Sequence, residues 1–141
     1  PRFTLIHTIS HVLIKGLSVQ CGYSMASLRE RIYASTNPHM NGFLIYTSSP
    51  SSDGTLGGLE SLAKRSDFGD LIVNAFLNSE WCASDPLCSA RSFSQDTLSW
   101  SSCHNCVLVS ETSCELYNRL LDRRSLYDDN YGFLKCAGAS L

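Results

Sequence analysis

Cys82, Cys88, Cys103 and Cys106 stand in the pattern C-x5-C, fourteen residues, then C-x2-C. A C-x2-C turn aims two thiolates at one point, and backbone amides in such a knuckle help to hold the sulfur charge. Four such sulfurs at about 2.3 Å make a tetrahedral zinc site. The first pair is wider than a standard knuckle, but Asp85-Pro86 lies between its members and forces a turn that folds them together. The pattern therefore points to a structural Zn2+. Cys114, eight residues after Cys106, is an alternative metal ligand that can replace a member of the quartet; its other reading is a buried cysteine at a helix start. Cys21 and Cys136 are isolated and read as core residues, and His104 as a solvated loop residue. A Cys103 nucleophile beside His104 is disfavoured, because adjacent residues rarely reach the nucleophile–base geometry.

His7 and His11 are spaced i, i+4, as in a two-histidine metal site, but Thr8 stands where a zinc protease carries its glutamate. Three readings stay open: a polar face hydrogen-bonded to the rest of the chain, a partner-facing surface, or a second metal site. The last would make the chain a metal-dependent hydrolase or nuclease-like enzyme. The stretch DGTLGGL, with Asp53, Gly54, Gly57 and Gly58, can cradle phosphate at a helix start or serve as a tight strand-to-helix connection. It lacks the Gly-Lys-Ser/Thr ending of a P-loop. Arg29, Arg31, Arg123 and Arg124 sit in charge clusters that read as solvated faces, and they are also the candidates for a phosphate-contacting patch.

The chain has 141 residues, 43% hydrophobic and 17% charged, which suits one domain over residues 1–141. Its first residue is Pro1, so a processed chain or a piece of a longer one is expected. A net charge of −2 lacks the basic excess of a free-standing nucleic-acid binder and leaves room only for a local basic patch. No apolar run reaches the ~20 residues that span a bilayer, and the first residues do not read as a signal peptide. Seven cysteines cannot all pair within one chain. A reducing, cytoplasmic setting is the default, and there clustered cysteines bind metal or do chemistry.

The elements that must position these residues follow from periodicity. Residues 3–20 read as an amphipathic helix with Leu5, Ile6, Ile9, Val12, Leu13 and Leu17 on one arc and His7, His11 and Ser18 opposite. Gly16 lies inside the apolar arc, where another backbone must pack closely to justify it. Gly22 reads as the left-handed cap. A second helix is expected from Ser24 or Ser27, with Ser27 and Glu30 as a capping box, ending at Asn37-Pro38. Gly42–Thr47 reads as a buried strand, and helices are expected over about 59–65 and 68–81. The serine-rich stretch between Cys88 and Cys103 reads as irregular, and Cys106–Val109 as a short strand or an apolar turn. Ser113 caps an expected last helix to about Leu121, and YGFLKCAGASL can add a strand. The whole is α+β: a helix-rich domain with a small sheet and a four-cysteine zinc site.

Together the segments HTISHVLIKGL, SLRERIY, GFLIYTSSPSSDGTLGGL, WCASDPLC, SCHNCVLVSETSCE and NRLLDR resemble the zinc-binding domain at the C-terminus of DrmB proteins of the DISARM phage-defence system. With more divergent motifs, the chain resembles the module attached to MrfA-type superfamily 2 DNA helicases. The resemblance runs from about His7 to Arg123 and implies a zinc site on Cys82, Cys88, Cys103 and Cys106. It implies the glycine turn on Asp53, Gly54, Gly57 and Gly58. The helicase versions have tighter cysteine spacing than C-x5-C, which keeps Cys114 in play. It further implies a non-enzymatic antiviral-defence module at the C-terminal end of a longer protein, partnering a helicase or ATPase subunit and reaching DNA through that complex. No ATPase motif is present in the chain itself.

Overall fold

A computed structural model describes residues 1–48, 58–92, 95 and 98–138. Its centre is helix α1, Arg2–Cys21, which ends on Gly22 in the left-handed conformation (φ 72°) as the sequence anticipates. The apolar arc of α1 packs on helix α3, Phe68–Glu80. At Gly16 the two helices meet so closely that a Cβ there would lie 2.5 Å from the Cβ of Ala75. Enclosure goes further than the arc predicts. His7, Thr8, Ser10 and His11 are buried too, because a β-hairpin and the C-terminal segment cover the other sides of the helix.

That hairpin replaces the expected second helix. After one 3₁₀ turn, Met25–Ser27, the chain runs as strand β1, Leu28–Thr36, and returns antiparallel as β2, His39–Thr47, with Leu28 opposite Thr47 and Thr36 opposite His39. The Ser27 hydroxyl donates to the Ser24 carbonyl (2.7 Å) and caps no helix. Leu28, Glu30 and Ile32 point into the core, while Arg31 and Tyr33 point out. The strand expected at Gly42–Thr47 lies within β2 but is half-buried, since Leu44 and Tyr46 remain on the solvent side.

Helix α2, Gly58–Ala63, and α3 fall close to their expected positions. Asp53, Gly54 and Gly57 lie outside the described residues; Gly58 opens α2. Residues 106–109 take the apolar-turn form, with Val107 and Val109 buried. The helix expected from Ser113 does not form. A 3₁₀ turn, Glu111–Ser113, leads into tight turns with positive φ at Tyr117, Asn118 and Leu120 (53°, 61° and 60°). Among the described residues the expected strand near the C-terminus does not form either: residues 124–138 carry two short helices, α4 (Arg124–Tyr127) and α5 (Phe133–Cys136).

Two apolar clusters flank α1. One joins Val12, Leu13, Ala75, Leu121 and Leu126 to Cys82, Cys88, Cys106 and Val107. The other joins Ile14, Leu17, Leu28, Leu71 and Val109 to Cys114. Full burial of a side chain such as Ile14 or Leu28 contributes about 1.5–3 kcal/mol. Both cysteine regions are thus built into the core.

Candidate metal centre

The wide first pair is closed by a turn wound around Asp85. The Asp85 N–H donates to the Cys82 carbonyl (2.9 Å), and the Cys88 N–H to the Ser84 carbonyl (2.9 Å). The Asp85 carboxylate accepts from the N–H of Cys82 (3.1 Å) and of Ser89 (3.0 Å). Arg123, itself buried, fixes that carboxylate with two hydrogen bonds of 2.7 and 2.8 Å and donates its other branch to the Glu80 carbonyl. The second pair forms a tight knuckle in which the N–H groups of Cys106, Val107 and Leu108 all point at the Cys103 carbonyl.

These two turns bring the four sulfurs together. Sγ–Sγ separations are 3.5 Å for Cys82–Cys103, 3.7 Å for Cys88–Cys106 and 3.7 Å for Cys103–Cys106. All four lie within 4.8 Å of one another. Disulfides need ~2.05 Å, and all seven cysteines are free thiols. A tetrahedron with metal–sulfur bonds of ~2.3 Å has sulfur–sulfur edges of about 3.8 Å, so the cage fits zinc with little adjustment. Three of the four cysteines are buried and Cys103 is half-buried, leaving a closed site.

Electrostatics within the cage are uneven. Burial works against charge on Cys103, but hydrogen bonding to Cys82 and the backbone N–H of Asn105 outweigh it and bring its thiol down to about 6. Burial pushes Cys106 up to about 11 and Cys88 well above the ordinary thiol range, in both cases reinforced by neighbouring sulfur charge. Amide donors already face the sulfurs: Ser84 N–H to Cys82 at 3.4 Å and Cys103 N–H to Cys106 at 3.2 Å. Lys15 of α1 reaches the knuckle through the His104 carbonyl (2.7 Å); burial lowers its pKa against the opposing pull of the sulfur charges.

Cys114 lies elsewhere, which removes it from the quartet. Its sulfur is 3.2 Å from His7 Nε2, in a second buried cluster with His11 and Glu30. The Glu30 carboxylate sits 2.9 Å from His7 Nε2 and 3.3 Å from His11 Nε2. Burial would raise Glu30, but the hydrogen bonds from His11 and His7 outweigh it and hold the carboxyl well below the usual range. Burial pushes Cys114 up to about 12, with the Glu30 charge adding to the effect. A partner-facing role for His7 and His11 is therefore corrected: both side chains are sealed inside the domain, where Glu30 and Cys114 give them polar partners.

The expected arginine patch does not assemble. Arg123 is buried against Asp85, Arg124 pairs with Asp128 (2.9 Å), and Arg31 pairs with Glu115 (3.2 Å). Arg29 donates to the carbonyls of Ala26 and Leu28. Three of the four charges are already matched by carboxylates, so no common phosphate-facing group results. Sequence reasoning passed over Glu30 as a site residue, taking it for a helix cap. Its position between Leu28 and Ile32 in an alternating strand was the available signal.

A sequence profile of the MrfA Zn-binding domain matches residues 9–107, a span that contains all four cage cysteines. The DISARM protein DrmB of Bacillus paralicheniformis (strain ATCC 9945a / NCIMB 11709 / CD-2) is 43% identical over 125 residues, covering 88% of this chain and 22% of that protein. The chain thus spans about a fifth of the length of that relative. Among the described residues, no helix is long and apolar enough to cross a membrane.

Proposed function

The chain belongs to the MrfA zinc-binding domain family, whose cofactor is Zn2+, and on that premise we propose that Cys82, Cys88, Cys103 and Cys106 hold the zinc of a non-enzymatic structural module. The observation that carries this reading is the closed four-sulfur cage, fixed to the core by the Asp85–Arg123 pair and by α1. Catalytic zinc keeps one position open for water or substrate, whereas four sulfurs complete the coordination. A metal there would lock the two turns to each other through their four sulfurs.

The module acts as a single unit over residues 1–141 at the C-terminal end of a longer cytoplasmic protein. There it supports assembly with a superfamily 2 helicase or translocase in anti-phage defence, and it engages DNA through that complex. Likeness to the DISARM protein DrmB supports the setting. The net charge of −2 and the carboxylate-paired arginines support an accessory role in DNA contact. The test is a pull-down of the full-length parent, wild type and Cys106→Ser, with its encoded neighbours. A DNA-translocating ATPase should co-purify with the wild type and be lost with the variant. A parent that retains the ATPase after losing its zinc, or purifies alone as a metal-dependent nuclease, would overturn the reading.

A further inference from the structure

We propose that His7, His11, Glu30 and Cys114 form a second, closed metal site, suited to tetrahedral Zn2+ through two nitrogens, one oxygen and one sulfur. His11 fixes the first of these ligand atoms. Its Nδ1 lies 2.8 Å from the Val107 carbonyl, which only accepts hydrogen bonds, so Nδ1 carries the proton. In the neutral ring Nε2 then presents a lone pair, and it faces Glu30 Oε1 at 3.3 Å. His7 Nε2 lies 2.9 Å from the same oxygen and 3.2 Å from Cys114 Sγ. Electron-pair donors converging in this way need either extra protons or one cation at their centre.

The sulfur environment favours the cation. Backbone N–H groups of Leu116 (3.3 Å) and Asn118 (3.2 Å) donate to Cys114 Sγ, and the positive-φ turn at Tyr117 and Asn118 aims the second of them. Amide-to-sulfur bonds of the same kind occur in the four-cysteine cage. They suit a thiolate, and a thiolate beside the Glu30 carboxylate makes two buried negative charges. A dication held by these two and two neutral imidazoles leaves the cluster with no net charge, which burial demands.

Two of the four ligands have an outer shell in place, while His7 Nδ1 is buried without a hydrogen-bond partner. The Val107 carbonyl fixes the His11 ring, and the Ser10 hydroxyl donates to the second oxygen of Glu30. The ligand atoms lie within 4.8 Å of one another. The contacts of 2.9–3.3 Å need to open by a few tenths of an ångström to reach the edges of a tetrahedron with bonds of ~2.0–2.3 Å. His7 and Cys114 both fall outside the profile match of residues 9–107, so this site is not carried by the matched span. All four residues are buried, which makes the site structural. It would clamp α1, β1 and the turn after the knuckle to one another.

The test uses the full chain, purified under reducing conditions, saturated with Zn2+ and freed of excess by gel filtration. Metal analysis should find two zinc equivalents per chain. Zinc-edge X-ray absorption should show a sulfur shell at ~2.3 Å together with a nitrogen/oxygen shell at ~2.0–2.1 Å. Cys114→Ser and, separately, His11→Gln should each lose one equivalent and leave a sulfur-only shell. A wild-type chain with one zinc and a sulfur-only shell would overturn the proposal, whatever the variants do. So would folded variants that both keep two equivalents. Failure of the cage would instead appear as loss of the sulfur-rich shell, so the two sites are read separately.

Discussion

The two buried clusters are assembled in opposite ways. The cysteine cage comes from two local turns within residues 82–106, each with its own backbone hydrogen bonds and its own clamp in Asp85 or the Cys103 carbonyl. The His7–His11–Glu30–Cys114 cluster has no local frame. It draws on a helix, a strand and a distant turn, and exists only once α1 has packed against the hairpin. Locally built sites leave a spacing pattern in the chain and depend on their metal to stay closed. Sites built at long range leave only a fragment of one, here the i, i+4 spacing of His7 and His11, and depend on the fold to stay together.

Breaking the cage should have the largest effect. Cys88→Ser or Cys106→Ser should lose the cage zinc and unfold the chain, since zinc binding in small zinc peptides supplies on the order of 10 kcal/mol of folding free energy. Far-UV circular dichroism with metal analysis checks this. Cys114 is committed to the other cluster and cannot step in. A folded Cys88→Ser chain with its cage zinc intact would remove Cys88 from the quartet.

Next is the second cluster. Glu30→Ala removes the buried carboxylate on which His7, His11 and Ser10 converge and should cost about 3–5 kcal/mol by urea unfolding, while the cage zinc stays. The wild type should also show the acid side of the same contact. The folded carboxyl is held low, so its stabilisation is present above the ordinary glutamate pKa of about 4.3 and is lost as pH falls below it. The Glu30→Ala chain should lose part of that slope in a pH series of melting curves.

Asp85→Asn sharpens the comparison by weakening the clamp and sparing the ligands. It leaves the Arg123 guanidinium without its charge partner and should cost about 2 kcal/mol, with the cage zinc retained but released sooner to a competing chelator. Smallest is Arg31→Ala. It removes a surface ion pair with Glu115 that makes no hydrogen bond to either cluster, and its effect should stay within about 1 kcal/mol.

Legibility in the sequence follows the same division. The clustering of the four cysteines could be read because C-x2-C and the Asp85-Pro86 turn are local signals, and α1 because its arc is long and its stop is Gly22. Gly16 announced the close approach of α3 that the structure contains. Strand β1 was hidden by the residue that matters most there. Glu30 on the core side between Leu28 and Ile32 breaks the apolar alternation, and with Ser27 it imitates a helix cap. The turn after Ser113 was misread for a related reason. Cys114, Tyr117, Leu120 and Leu121 are spaced like a helical face, but the amides of Leu116 and Asn118 are drawn to the Cys114 sulfur, and the chain turns instead. In both places a residue of the buried polar cluster, Glu30 or Cys114, departs from the apolar pattern around it.

The most direct test of the structural-zinc account follows zinc release and far-UV circular dichroism together while a chelator is titrated into the reduced, zinc-loaded chain. The account predicts that the cage zinc and the helical signal are lost in one cooperative transition, and that added Zn2+ restores both. A chain that keeps its full helical signal after the sulfur-bound zinc has been removed would contradict it.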